Sequence, residues 1–295
     1  MKRTGILAKL HINNRAKTIN RTKTGNAAIF LLLAFFGIFS LLPMVLAISQ
    51  SIKPLNELFL FPPRLFPQNP TLNNFKQLFS LMSSTWVPFS RYIFNTLFIT
   101  LAGTIGHILV ASMAAYPLAK LNVPGGKIIF ALVITSLMFS PTVADVANYI
   151  TMSGLRITDT YLAILIPALG TSLGLFLMRQ FMVMIPMSML ESARIDGASE
   201  YMIFWRIVFP QVKPAWLTLA VFSFQGLWNG THSTYIYSEQ MKTLPYALSQ
   251  IVAGGIVRAG AAAAVGVIMM IVPITFFILS QNQILETMSA SGIKE

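Results

Sequence analysis

The chain contains no cysteine, which excludes disulfide bonds, thiolate metal sites and cysteine nucleophiles. Charged residues are also scarce: they make up 10% of the 295 residues, whereas soluble domains carry about 25%. Hydrophobic residues account for 55% of the chain, and the mean hydropathy is +0.68. This composition excludes a soluble globular enzyme and a disordered chain, and it directs attention to the long runs that carry no charge.

The residues that catalysis, ATP hydrolysis or ion coupling would need are missing as well. The phosphate-binding motif G-x-x-x-x-G-K-[ST] does not occur, because residues 125–127 lack its first glycine and its hydroxyl residue. His11, His107 and His232 lie in different compartments of the topology predicted below, so we expect no catalytic residue, metal site or bound cofactor. Within the apolar runs, Asp145 is expected to be a helix-end carboxylate and His107 a hydrogen-bonded packing residue.

Six apolar runs are long enough to cross a membrane as helices. Even the shortest has 18 residues and would rise roughly 27 Å, close to the hydrocarbon thickness of a bilayer. The runs are too long and too uniformly apolar for barrel strands, so the sequence predicts an all-α integral membrane protein with six transmembrane helices. The predicted spans are residues 27–48, 92–119, 128–152, 161–178, 214–238 and 259–285.

The distribution of lysine and arginine predicts the orientation. Residues 1–26 form a basic leader without acids, and both the leader and the first apolar run are longer than a cleaved signal peptide needs. With the leader inside, the inner segments carry about twice as many basic residues as the outer ones, which places both termini, including the tail 286–295, in the cytoplasm. The net charge of +12 is therefore a topology signal and no sign of nucleic-acid binding. The leader's basic residues are Lys2, Arg3, Lys9, Arg15, Lys17, Arg21 and Lys23.

Two of the predicted connections are long. The outer one, residues 49–91, is rich in proline and cannot form a single regular helix. The inner one, residues 179–213, begins a short amphipathic helix after Pro186. Ser188 and Glu191 have the spacing of a capping box at its start, and Glu191 is three residues from Arg194, with which it can pair on one helix face.

The same inner connection then turns and forms a second short helix. Gly197 stands where a helix usually ends in a left-handed conformation, which glycine adopts at little cost. Residues 201–209 are expected to form an apolar helix that ends at Pro210. At nine residues this helix is too short to span, so it should lie along the membrane interface or pack under the spans.

The spacing within this connection resembles a known family motif. Glu191-Ser192-Ala193, three residues, Gly197, nine residues and Ile207-Val208-Phe209-Pro210 are similar to E-A-A, x3, G, x9, I-x-L-P. This pattern is the cytoplasmic EAA loop of the permease subunits of bacterial ABC importers. Ser192 and Phe209 depart mildly from it. The resemblance covers essentially residues 26–295 and implies the type I ABC importer permease fold.

Further segments resemble the carbohydrate branch of these importers, the maltose-transporter type. They are Ser51-Ile52-Lys53-Pro54, Pro62-Pro63, Thr71-Leu72-Asn73-Asn74-Phe75, Ala193-Arg194-Ile195-Asp196-Gly197-Ala198, Met241-Lys242-Thr243-Leu244-Pro245 and Gln281. After Trp228-Asn229 the family usually has an acidic or bulky residue, whereas here Gly230-Thr231-His232 follows. That departure weakens any transfer of substrate detail at this end of the fifth predicted span.

The resemblance implies a division of labour between subunits. The loop would dock on a separate ATPase, which uses ATP and Mg²⁺, and would pass its motion to the spans. The implied partners are a homologous second permease, two cytoplasmic ATPase subunits, an extracytoplasmic solute-binding protein and the lipid of the bacterial inner membrane. The residues to which the resemblance gives this coupling role are Glu191, Ser192, Ala193, Arg194, Asp196, Gly197, Ala198, Ile207 and Pro210.

The solute is less constrained than the mechanism. Polar and aromatic residues that would suit a sugar path are Asn95, Gln225, Trp228 and Asn229, although ordinary hydrogen bonds between helices would explain the amides equally well. The leading interpretation is import of a carbohydrate, specifically an oligosaccharide. An ABC permease for a non-sugar solute and a carrier driven by an ion gradient remain the alternatives.

Overall fold

The computed structural model describes residues 23–83 and 86–291, and this part of the chain is helical without any strand. It divides into two compact units, one ending at Ala47 and one beginning at Ile48. The α-helices are α1 Lys23–Ser51, α2 Leu55–Leu58, α3 Asn73–Ser83, α4 Phe89–Lys120, α5 Gly126–Ser136, α6 Pro141–Gly154, α7 Tyr161–Leu169, α8 Ser172–Val183, α9 Met187–Ile195, α10 Glu200–Ile203, α11 Phe209–Gln211, α12 Lys213–Asn229, α13 Leu244–Val252 and α14 Ala259–Ser291.

Four helical stretches in the described chain are long and apolar enough to cross a membrane: Thr24–Ser51, Phe89–Lys120, Tyr161–Val183 and Ile256–Gln281. A fifth candidate is the pair Glu200–Gln211 and Lys213–Asn229, which is bent by 75°. The protein is thus an all-helical, multi-pass membrane protein. Residues 1–22 of the predicted leader and residues 292–295 of the predicted tail lie outside the described residues.

The third predicted span, residues 128–152, is not a continuous helix. The structure divides it into α5 and α6, with a turn at residues 137–140 before Pro141. Proline disfavours the helical conformation in the residue before it and supplies no N–H of its own, so it begins a helix more readily than it continues one. The prediction of one regular helix was wrong here because average hydropathy does not register such a break.

Two other spans also differ from the prediction. The fourth is interrupted at Gly170 and Thr171, where α7 ends and α8 begins. The fifth, predicted to reach residue 238, ends at Asn229, and the chain continues in an extended conformation at Gly230. Apolar residues beyond Asn229, including the buried Tyr235 and Ile236, therefore belong to a connection packed on the helices.

Helix α4 is the centre of the second unit, where it packs against α7, α8 and α12. The imidazole of His107 on α4 connects this helix to α12 and α8. Its Nδ1 lies 2.6 Å from Ser223 Oγ on α12, and its Nε2 lies 2.6 Å from Thr171 Oγ1 at the start of α8. The interpretation of His107 as a hydrogen-bonded packing residue is confirmed. Gly174 on α8 leaves room for the ring, because a Cβ at that position would overlap Nε2 and lie 2.9 Å from Cε1.

Replacing Gly174 with alanine should therefore destabilise this junction. Both ring nitrogens of His107 are engaged, so the ring cannot move aside without losing a hydrogen bond, and we expect Gly174→Ala to cost about 1–3 kcal/mol as overpacking. Thermal unfolding in detergent measures the loss as a lower Tm. Gly226→Ala on α12 is the matched control, since a Cβ there meets nothing within 4 Å. Equal Tm values for the two variants would contradict the packing described.

Candidate functional site

The segment with the EAA-like spacing forms the predicted helix–turn–helix. Helix α9 begins directly after Pro186, Gly197 has a φ of 83°, and a second helical stretch runs from Glu200 to Gln211. Ser199 caps this second stretch, since its Oγ accepts a hydrogen bond from Met202 N at 3.3 Å. We call residues 187–211 the coupling segment.

The turn of the coupling segment has the hydrogen bonds of a Schellman motif. Gly197 N donates to Arg194 O at 3.0 Å, and Ala198 N donates to Ala193 O at 2.9 Å. In this motif the residues at the positions of Ala193 and Ala198 approach each other, and both pack half-buried on the hydrophobic core. The small side chains at these positions are thus explained by the closing of the turn.

Two local predictions about the first helix of this segment are wrong. The residue preceding α9 is Pro186, so Ser188 lies inside the helix, and its carbonyl accepts a hydrogen bond from Ser192 Oγ instead of its side chain capping the helix start. Glu191 is exposed and has no ion-pair partner among the described residues. Arg194 pairs across the turn, with its Nε 2.7 Å from Glu200 Oε1.

Glu200 connects the turn to the core of the protein. Its Oε1 accepts the hydrogen bond from Arg194, and its Oε2 accepts a 2.5 Å hydrogen bond from the hydroxyl of Tyr116 on α4. The hydrogen bond from Arg194 is the largest influence that lowers the pKa of Glu200 below its usual 4.5, and the hydrogen bond from Tyr116 is the next. The carboxylate is therefore ionised near neutral pH and bridges two elements.

The second helical stretch runs past the proline that was expected to end it. Residues 204–208 form a wider π turn, and the helix continues through Pro210 to Gln211. A π turn shifts the hydrogen-bond register by one residue, which accommodates the missing N–H of Pro210. Ile207 is half-buried against the core, whereas Pro210 is exposed.

One face of the coupling segment is fully packed and the other is exposed. Leu190, Ile203 and Val208 have no exposed surface and share a hydrophobic core with α4, α8 and α12. Elsewhere in the segment, Ile195 is 87% exposed and Tyr201 71% exposed. These two large apolar side chains are therefore available for contact with another protein.

The four predicted path residues lie on two helices, Asn95 on α4 and the other three on α12. Asn95 is buried, and its amide is used by the backbone carbonyls of Gln240 and Lys242, each at 2.9 Å, and by the Tyr161 hydroxyl at 2.7 Å. These bonds hold the segment that follows α12, as expected if the amide serves packing.

The other three members of the predicted path lie on α12. Trp228 is 3% exposed and donates from Nε1 to Met269 O on α14 at 3.2 Å. Gln225 and Asn229 are exposed, and Gln225 lines a cavity of about 230 Å³ beside α14. A second cavity of about 300 Å³ lies beside His107, with Phe222 and Ser223 in its wall. The sequence gives no signal for this cavity, because Thr171, at the break in the fourth span, also lines it.

Residues 107–288, which include the whole coupling segment, match the family described as the binding-protein-dependent transport system inner membrane component. The chain belongs to this family. As a member of this family, the permease is a membrane-embedded subunit of a transport system.

Individual relatives agree with this assignment. The permease is 33% identical over 223 residues to Protein LplC of Bacillus subtilis (strain 168). This alignment covers 75% of this chain and 73% of the relative. It is 29% identical over 275 residues to the arabinooligosaccharides transport system permease protein AraQ of Halalkalibacterium halodurans, with coverages of 90% and 94%. A crystal structure of a bacterial ABC transporter involved in the import of the acidic polysaccharide alginate superposes with a TM-score of 0.74 at 21% identity, covering 90% of this chain and 99% of that chain. The last likeness establishes the fold.

The bridge at Glu200 makes the stability of the permease depend on pH. Because the pKa of Glu200 is lowered in the folded state, the ionised carboxylate stabilises the fold at pH values above the usual pKa of 4.5. This stabilisation is lost as the pH falls through the pKa of Glu200 in the folded protein. We expect Glu200→Gln to lower the free energy of unfolding by about 1 kcal/mol at neutral pH, and this difference from the parent to shrink as the pH approaches about 4. Thermal scans in detergent at several pH values measure it.

Glu191→Gln is the matched control for that experiment. Glu191 is exposed on the same segment without an ion-pair partner among the described residues, so its replacement should change Tm little at any of these pH values. A difference between Glu200→Gln and the parent that stays constant with pH would contradict the bridging role of the carboxylate.

Proposed function

We propose that this permease is one of two membrane subunits of an ATP-driven, binding-protein-dependent importer of a carbohydrate, specifically an oligosaccharide. The observation that carries the proposal is the coupling segment: a rigid helix–turn–helix packed on α4, α8 and α12 that presents an exposed apolar face. Such a segment can transmit a force only if another protein moves it, because the sequence contains no phosphate-binding motif of its own.

The partners follow from this mechanism. Two ATPase subunits would bind ATP and Mg²⁺, close on each other, and displace the coupling segments of this chain and of a homologous second permease. A solute-binding protein would deliver the sugar from outside; a similar fold occurs in a bacterial alginate ABC transporter crystallised with an alginate pentasaccharide-bound periplasmic protein. The topology proposed for this chain has six spans in a bacterial inner membrane, and the third of them is broken. Both termini would lie in the cytoplasm.

The choice of a carbohydrate is supported by the relatives. The arabinooligosaccharides permease AraQ of Halalkalibacterium halodurans and the galactooligosaccharides permease GanQ of Bacillus subtilis each align with 90% of this chain, at 29% and 26% identity. A glycerol-3-phosphate permease, UgpE of Yersinia enterocolitica, is also related, at 28% over 64% of the chain. The relatives thus favour an oligosaccharide and keep a smaller polar solute as the second candidate.

Cysteine cross-linking tests the docking face directly, because the chain has no cysteine of its own. Ile195→Cys places a thiol on the exposed face of the coupling segment, and Phe61→Cys, at a side chain that is 93% exposed in the predicted outer connection, is the control. We expect Ile195→Cys to cross-link to the ATPase subunit and Phe61→Cys not to do so. In intact cells, an impermeant maleimide should label only Phe61→Cys. Labelling of Ile195→Cys from outside would overturn the proposal.

Uptake by the complete transporter reconstituted in liposomes tests the energy source and the solute. We expect oligosaccharide uptake to require ATP and to persist with an uncoupler. Glu191→Lys and Gly197→Pro should abolish it while the protein still inserts, since the first reverses a charge on the docking face and the second forces φ away from 83°. Gly197→Asn is the control, because asparagine tolerates the left-handed conformation. Uptake that survives without the ATPase but fails with the uncoupler would favour an ion-driven carrier.

A further inference from the structure

Helix α4 is attached to the coupling segment at one end. The hydroxyl of Tyr116, one turn before the end of α4, is bonded to Glu200, which also binds Arg194. Glu200 begins the second helix of the coupling segment and Arg194 ends the first, so both of these helices are connected to α4 through a single carboxylate.

The same end of α4 is also attached to α8, from which the coupling segment emerges. Lys120 Nζ donates to Val183 O at 3.1 Å and to Ile185 O, which are carbonyls at the end of α8 that have no partner within the helix. In return, Arg179 Nε on α8 donates to Leu118 O near the end of α4 at 3.1 Å. The Arg179 guanidinium also lies 3.7 Å from the centre of the Phe130 ring on α5. The two helices thus cap each other.

The other end of α4 holds the segment between α12 and α13. The Tyr92 hydroxyl donates to Glu239 Oε1 at 2.8 Å, and Thr96 Oγ1 accepts a hydrogen bond from Leu244 N at 2.7 Å. Asn95 binds the carbonyls of Gln240 and Lys242 nearby. Residues 239–244 are therefore hydrogen-bonded to the first two turns of α4, and the coupling segment is hydrogen-bonded to its last turns.

We propose that α4 is a strut that carries displacement between the coupling segment and residues 239–244, with Glu200 and Tyr116 as the positioning residues at one end and Tyr92 at the other. The helix is continuous over 32 residues, about 48 Å at 1.5 Å per residue. The proposal rests on the function proposed above, in which these two ends face the ATPase and the solute-binding protein. Coupling of this kind is reciprocal: delivery of solute at one end alters ATP hydrolysis at the other.

Conservative variants at the two ends test the strut in the reconstituted transporter. The measurements are basal ATPase activity, its stimulation by the solute-loaded binding protein, and solute transported per ATP hydrolysed. We expect Tyr116→Phe, Glu200→Gln and Tyr92→Phe each to lower the stimulation and the transport ratio about tenfold, as fits loss of a hydrogen bond to a charged group, with basal activity retained. Tyr116→Phe combined with Glu200→Gln should be no worse than Glu200→Gln alone, because Tyr116 is connected to the coupling segment through this carboxylate.

Ser112→Ala is the matched control. Ser112 is buried on α4 one turn before Tyr116, but its hydroxyl bonds to Leu109 O within the same helix, so its loss should leave stimulation unchanged. Unchanged stimulation in any of the three end variants overturns the strut. An equal loss of basal activity, stimulation and Tm in those variants also overturns it, because that pattern shows a purely structural role.

Failure of the strut and failure of the proposed function give different results. If Ile195→Cys cross-links to the ATPase in the parent and in Tyr116→Phe, the docking site stands, and only the route of the motion is at issue. If Ile195→Cys captures no ATPase in either background, the proposed function itself is wrong.

Discussion

Helix ends inside a membrane protein have little water to satisfy their backbone groups, and in this permease side chains from neighbouring helices do so. Lys120 at the end of α4 binds the last carbonyls of α8, and Arg179 on α8 binds a carbonyl near the end of α4. His107 lies at the break before α8, hydrogen-bonded to Thr171. Because each of these partners comes from a different helix, satisfying a helix end also fixes the distance between two helices.

The turn of the coupling segment could be predicted from sequence because short-range geometry determines it. The turn needs a residue in the left-handed conformation, which glycine adopts readily, and Gly197 has the expected positive φ, 83°. Ala193, Gly197 and Ala198 occupy the C3, C′ and C″ positions of a Schellman turn, where the first and the last approach each other, which explains the small side chains at these places. The helical class, the membrane location and the helix–turn–helix can all be predicted from local sequence patterns.

Contacts between residues far apart in sequence could not be predicted in the same way. The rule for residues three apart paired Arg194 with Glu191, but the turn brings Glu200 to Arg194, and Tyr116 on α4 completes the bridge. The breaks before Pro141 and at Gly170 were missed for a related reason: hydropathy averaged over a window reports that a run is apolar, and not whether its backbone stays helical.

Hydrogen bonds within the protein also limit which of the predicted path residues can bind a solute. Both amide hydrogens of the buried Asn95 already bind backbone carbonyls, so this side chain has no donor left for a sugar hydroxyl, and the indole N–H of Trp228 is similarly used by α14. Gln225 and Asn229 are exposed, so of these four residues only two have polar groups that can face a solute. In a heterodimeric importer, selectivity would then depend strongly on the second permease and on the solute-binding protein, and this chain would contribute chiefly the mechanical connection through α4.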